Sequence, residues 1–160
     1  MTPVCNATPL IHLGRIGRID LLRELYIRVL VAPAVLVEVR PRVAEAVASA
    51  LAAGWLVETA ARNTARVVEI EERLGGRGEA ETIALAQETP DALVLVDERA
   101  ARDLCRSLDL EVRGTLGIPL DARRAGLVSE VAQILEALLA SGFWLDADTR
   151  RRFLQLAGEG

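Results

Sequence analysis

Five consecutive apolar residues, Ala92-Leu93-Val94-Leu95-Val96, run without interruption and end at Asp97. A short continuous run of this kind, rather than an alternating one, predicts a strand buried on both faces, as in a parallel sheet covered by helices on each side. Parallel strands need crossover connections, usually helices, and the rest of the chain supplies them. Val4-Cys5 leads into Asn6, and Thr8-Pro9 reads as a helix N-cap followed by a first helical residue whose missing N–H costs nothing. A strand therefore ends at Cys5 or Asn6. Residues 28–32 read as a strand that stops before Pro33, residues 55–59 as an edge strand, and residues 111–113 as a brief last strand closed by Gly114-Thr115.

Helices fill the intervals. One carries Leu10, Leu13 and Ile16, a short one covers 19–26, and Pro33 opens another that Pro41 interrupts and 43–53 resumes. Val67, Ile70 and Leu74 lie at helical spacing before Gly75-Gly76, and a helix through Ile83 and Ala86 begins at Gly78-Glu79. Beyond the last strand the pattern is helical, with Ser129 and Asp146 as caps. The expectation is a three-layer α/β/α sandwich with a mostly parallel central sheet, one domain over residues 1–160 in which 128–160 form a C-terminal helical extension.

Composition narrows the chemistry. The chain has 160 residues, enough to bury about 68–70% of its unfolded surface, and is 51% hydrophobic but only 3% aromatic, so its core must be aliphatic. Cys5 and Cys105 match no paired metal or redox spacing and read as buried thiols of a reducing compartment. No basic stretch followed by an apolar core opens the chain. The longest apolar run, residues 29–37, is broken by Pro33 and falls short of the ~20 residues of a membrane helix. A cytoplasmic protein with no membrane contact is expected. The net charge of −4 argues against indiscriminate nucleic-acid binding and leaves room for a local basic patch. All 19 basic side chains are Arg. Without Lys there is no Schiff-base chemistry and no P-loop. With His12 alone there is no polyhistidine metal site, and a Ser-His-Asp triad would have to use that residue. Carboxylates remain, and with them hard-metal chemistry.

Four polar corners stand out: Asn6 after the first strand, Glu38 in the helix after the second, Glu79 at a helix start, and Asp97 after the buried strand. The sequence resembles the PIN domain, in the VapC-like branch of predicted nucleic-acid-binding proteins of unknown function. The matching stretches are Asn6-Ala7-Thr8-Pro9-Leu10-Ile11, Pro33-Ala34-Val35 with Glu38-Val39, Gly78-Glu79-Ala80-Glu81 with Ile83-Ala84-Leu85-Ala86, Leu95-Val96-Asp97-Glu98-Arg99-Ala100-Ala101-Arg102, and Gly114-Thr115-Leu116-Gly117. The resemblance implies a metal-dependent ribonuclease with Mg²⁺ or Mn²⁺ held at Glu38, Glu79, Asp97 and Asn6, and Thr8 in support. It also implies RNA, a small antitoxin and a second copy of the chain as partners. Glu81 competes with Glu79, which is preferred because it shares a helix face with Ile83 and Ala86. Asn6 departs from the Asp of active PIN nucleases and weakens the metal site. The alternative is a non-catalytic PIN-like module that binds RNA or protein through a degenerate metal site.

Each corner also has a plain explanation. Glu79 suits a helix N-terminus, Glu38 a solvated helix face, and Asp97-Glu98 the cap of the next helix. His12, four residues after Thr8, is given no role. Arg99, Arg102 and Arg106 form a stripe that reads equally as phosphate contacts beside Asp97 or as an exposed face, and Arg150-Arg151-Arg152 as a solvated cluster. Trp55, Phe143 and Trp144 read as too scattered for a base-stacking platform. A third reading is an interaction protein that pairs through the helices after Ser129.

Overall fold

The computed structural model describes residues 1–160. In chain order the elements are β1 (Thr2–Cys5), α1 (Ala7–Arg15), α2 (Asp20–Tyr26), β2 (Val29–Val31), α3 (Pro33–Ala52), β3 (Leu56–Glu58), α4 (Thr64–Leu74) and α5 (Arg77–Gln87). They continue with β4 (Ala92–Leu95), α6 (Arg99–Ser107), β5 (Glu111–Arg113), α7 (Gly117–Arg124), α8 (Ala132–Ala140) and α9 (Ala147–Leu156). Every strand anticipated from the apolar runs forms, in the order β3-β2-β1-β4-β5, and every pairing is parallel. The central pair sets the register: Thr2, Pro3, Val4 and Cys5 lie opposite Ala92, Leu93, Val94 and Leu95.

Side chains alternate across this sheet with period two and divide the core in two. Val4, Leu30 and Val94 face α4, α5 and α6, where Val67, Ile70, Ile83 and Leu104 cover them. Cys5, Val31, Leu93 and Leu95 face the opposite layer, packed by Leu10 and Leu13 of α1, Leu36 and Val39 of α3, Ile118 of α7 and Ile134 of α8. The result is the three-layer α/β/α sandwich expected from the sequence. A third cluster, Val131, Leu135, Phe153 and Ala157, joins α8 to α9. Both cysteines are buried free thiols, and no helix is long and apolar enough to cross a membrane.

Local details follow from residue chemistry. Pro41 falls inside α3, and the backbone leaves helical geometry at Val43 (φ −138°, ψ 46°), the kink expected where proline removes a hydrogen bond. Gly14 lets α1 approach that kink: a Cβ on it would stand 2.8 Å from Val43 Cγ1. Gly75 ends α4 in the left-handed conformation at φ 84°. Two anticipated caps belong elsewhere. The N-cap of α1 is Asn6, not Thr8, and α8 begins after Val131 rather than at Ser129. The first N–H groups of α8 are instead held by a distant carboxylate, Glu159, which accepts from Val131 N at 2.7 Å and Ala132 N at 2.8 Å. Asp146 caps α9 as expected, accepting from Thr149 N at 2.8 Å.

Another carboxylate pins the loop between β3 and α4. Glu88 accepts from the backbone N–H of Arg62 at 2.9 Å and of Asn63 at 2.8 Å, and these two bonds hold its carboxyl below the usual range. Because the folded value is depressed, the stabilisation is present above the ordinary pKa of 4.5 and is lost as pH falls through the folded value. In urea melts Glu88→Ala should cost about 1–3 kcal/mol at pH 7, and the gap to the parent should close on acidification below that point. A gap independent of pH would contradict the assignment.

Candidate active site

Between β1 and β4 the order of the sheet reverses direction, since the chain leaves β1 toward β2 on one side and returns as β4 on the other. Such a switch point opens a crevice at the carboxyl ends of the strands. Asn6 is the first residue past β1 and is fully buried. Its backbone N–H donates to Leu95 O at 2.9 Å, and its side chain does not cap α1. The amide Nδ2 instead donates to Glu79 Oε1 at 3.2 Å and Glu98 Oε2 at 3.3 Å. Reversing the amide would set its oxygen against two carboxylates, so the hydrogen-bond network fixes this orientation. Thr8, freed from capping, donates from Oγ1 to Glu98 Oε1 at 3.0 Å.

Asn6 Oδ1 is buried and has no partner. It lies beside the open space over Gly78, where an added Cβ would stand 3.4 Å from Asn6 Oδ1 and 3.4 Å from Glu38 Oε2. Partial desolvation, then the neighbouring charges of Glu79 and Glu98, push the Glu38 carboxyl up from its usual value. Glu38 from α3 therefore senses the charges of Glu79 from α5 and Glu98 at the start of α6, the two acids that the neutral amide bridges.

The structure brings together Asn6, Thr8, Glu38 and Glu79 among the residues singled out by sequence. Glu81, the competitor of Glu79, is committed elsewhere: it accepts from Ala34 N at 2.8 Å, at the start of α3, and pairs with Arg77 Nε at 3.1 Å. Asp97 is bound to the β5–α7 turn, accepting from Thr115 N at 2.7 Å and Thr115 Oγ1 at 2.5 Å. The acid that reaches Asn6 from this corner is its neighbour Glu98, which sequence reasoning treated only as a cap. No local signal in the sequence points to it, because Thr8 reads as a cap until its hydroxyl is seen on Glu98. His12 packs edge-on against Phe143, ring centres 4.9 Å apart.

A family model described as a PIN domain matches residues 2–159. The chain belongs to the PIN-domain family, whose fold is nuclease-like. No curated protein matches it significantly. PIN domains generally use divalent metals. The donors here fit such an ion by type: an orphaned buried amide oxygen and three carboxylates are hard oxygen ligands of the kind Mg²⁺ and Mn²⁺ prefer. By distance the fit is looser, for no three acidic, His or Cys side chains stand close enough to chelate an ion as they are arranged. Asn6 Nδ2 bridges two of the acids in its place.

Gly78 keeps the space beside Asn6 Oδ1 and Glu38 open. Gly78→Ala should leave stability unchanged or raise it by up to about 1 kcal/mol, because alanine favours the helix. The same change should weaken Mn²⁺ binding several-fold in calorimetry. Equal affinity in both proteins would remove the cradle from the site.

Proposed function

We propose that the chain is a metal-dependent endoribonuclease, a single domain with residues 128–160 as its helical extension. The observation that carries this reading is the pairing of Glu79 and Glu98 with Asn6, with Glu38 across the Gly78 gap from the amide oxygen and its carboxyl raised by desolvation and then by the like charges. Such a cluster is relieved by a cation. The chemistry supplied by bound Mg²⁺ or Mn²⁺ is polarisation of an RNA phosphodiester and a lowered pKa for the attacking water. Glu38, Glu79 and Glu98 would hold the ion, Thr8 orients Glu98, and Asn6 Oδ1 would offer a neutral oxygen acceptor. Asp97 positions the Gly114-Thr115 turn beside them. By likeness to VapC-type toxins the reading extends to a toxin that works as a homodimer and is silenced by a small antitoxin. Co-purification with a small helical protein encoded beside it would support that part.

A second reading rests on the Nδ2 bridge. Because Asn6 already satisfies Glu79 and Glu98 without an ion, a non-catalytic RNA- or protein-binding module is the rival. Two measurements separate them. Single-stranded and structured RNA should be cut with Mg²⁺ or Mn²⁺, spared in EDTA, and spared by Glu98→Gln; identical products in all conditions end the enzyme reading. The comparison of Glu98→Gln with Asp97→Asn reports which acid holds the ion, and the larger loss of Mn²⁺ affinity is expected for Glu98→Gln.

Asn6→Asp should tighten Mn²⁺ binding at least tenfold. A unit charge about 4 Å away is worth about 4 kcal/mol at an effective dielectric of 20, before desolvation offsets part of it. The same variant should melt lower than the parent without metal, because two donors are lost among three carboxylates, and should regain stability as Mn²⁺ is added. An unchanged metal-free melting temperature would refute the bridging role of the amide.

A further inference from the structure

The acidic site has a neighbour it does not use. A cleft of about 660 Å³ runs from Thr8 and Asp97 past the Gly114 turn to the connector that carries Phe143 and Trp144. Trp144 is 82% exposed, in a chain whose other tryptophan, Trp55, is 8% exposed. Phe143 and Trp144, read from the sequence as scattered, line this cleft together. The same cleft is lined by Arg102, which forms no ion pair within 4.0 Å and whose Nε is buried without a partner. Arg102 also belongs to the adjoining hollow, of about 450 Å³, lined by Asp97, Arg99, Arg102, Asp103 and Arg106 with no apolar residue. Arg99 and Arg106 share a single partner, Asp103, at 4.0 and 3.2 Å. The carboxylate of Asp97 is occupied by Thr115. One cleft thus carries both a ring open to solvent and a guanidinium with no direct ion pair, in a protein whose net charge is −4.

We propose that this cleft is a nucleotide subsite for single-stranded RNA, with one unstacked base against the Trp144 ring and the adjoining phosphate on Arg102. The inference rests on the ribonuclease reading for the direction of the strand past the acids, and on the cleft alone for binding. The volume lies within the range that takes a small molecule of nucleotide size. An aromatic face beside a guanidinium is the pairing that holds single strands, since every base offers a π-face and every linkage a negative charge. Bases stacked in an A-form helix present no face to such a ring, so loops and unpaired segments are the ligand class. Arg99 and Arg106 line the adjoining hollow with Arg102, where further phosphates of the strand would meet them.

The test uses the full chain in EDTA, so that no cleavage occurs, with hexaadenylate as the probe. Saturable quenching of tryptophan emission is expected. Trp144→Ala should abolish the quenching and weaken binding about 5- to 100-fold, the size of one lost base stack. Trp144→Phe should keep affinity within about fivefold. Arg102→Gln should reduce the salt dependence of log affinity by about 0.7, the value for one phosphate on a single strand. The proposal is overturned if hexaadenylate does not bind or if Trp144→Ala binds it as the parent does. It also falls if Trp144 emission responds to protein concentration and not to RNA, which would make the surface a contact between copies. Intact quenching in a protein that cuts no RNA with Mn²⁺ would uphold the subsite and sink the nuclease reading alone.

Discussion

The ladder between β1 and β4 pairs Thr2 through Cys5 with Ala92 through Leu95, and Asn6 extends it by donating its N–H to Leu95 O. This one register decides both layers of the core and the site above it. Side chains in a strand change face at every residue, so a slip by one position would exchange Val4 with Cys5 between the two cores. The same slip would turn Asn6 away from Glu98. Residues at opposite ends of the first hundred become neighbours because a parallel pair is closed between them, and the helices of both layers then bring Glu38 and Glu79 to the same edge.

Asn6 sets the electrostatic character of that edge. Three glutamates meet around it, and the amide answers two of them with N–H donors while its oxygen is left facing the space over Gly78. An aspartate in that position would add repulsion and remove both donors. On the metal-dependent reading proposed above, the amide makes the ion-free site more stable than four acids would be and would hold a bound ion less tightly. Stability without metal and affinity for metal pull in opposite directions at a single side chain.

Most of the scaffold was legible in the sequence because its signals are local. The apolar runs of β1, β2 and β4, the proline at the start of α3 and the glycine after α4 each act within a few residues. What was misread depended on partners far along the chain. Thr8 looks like a cap until Glu98, 90 positions away, takes its hydroxyl. Ser129 looks like a cap until Glu159 takes the N–H groups of α8 from 28 and 27 positions away. Of the adjacent acids Asp97 and Glu98, motif order favours the first. Which of them faces Asn6 depends on Thr115, where Asp97 finds two donors. The scattered look of Phe143 and Trp144 has the same origin, since nothing nearby in sequence points to Arg102 and Gly114 as sharing a cleft with them.

Glu159 joins the end of the described chain to the interior of the fold. Its two bonds to the start of α8 steady a helix that supplies Ile134 and Leu138 to the core beneath β1. Glu159 thus works as a latch: force applied beyond α9 reaches the start of α8 through this carboxylate before it reaches the sheet.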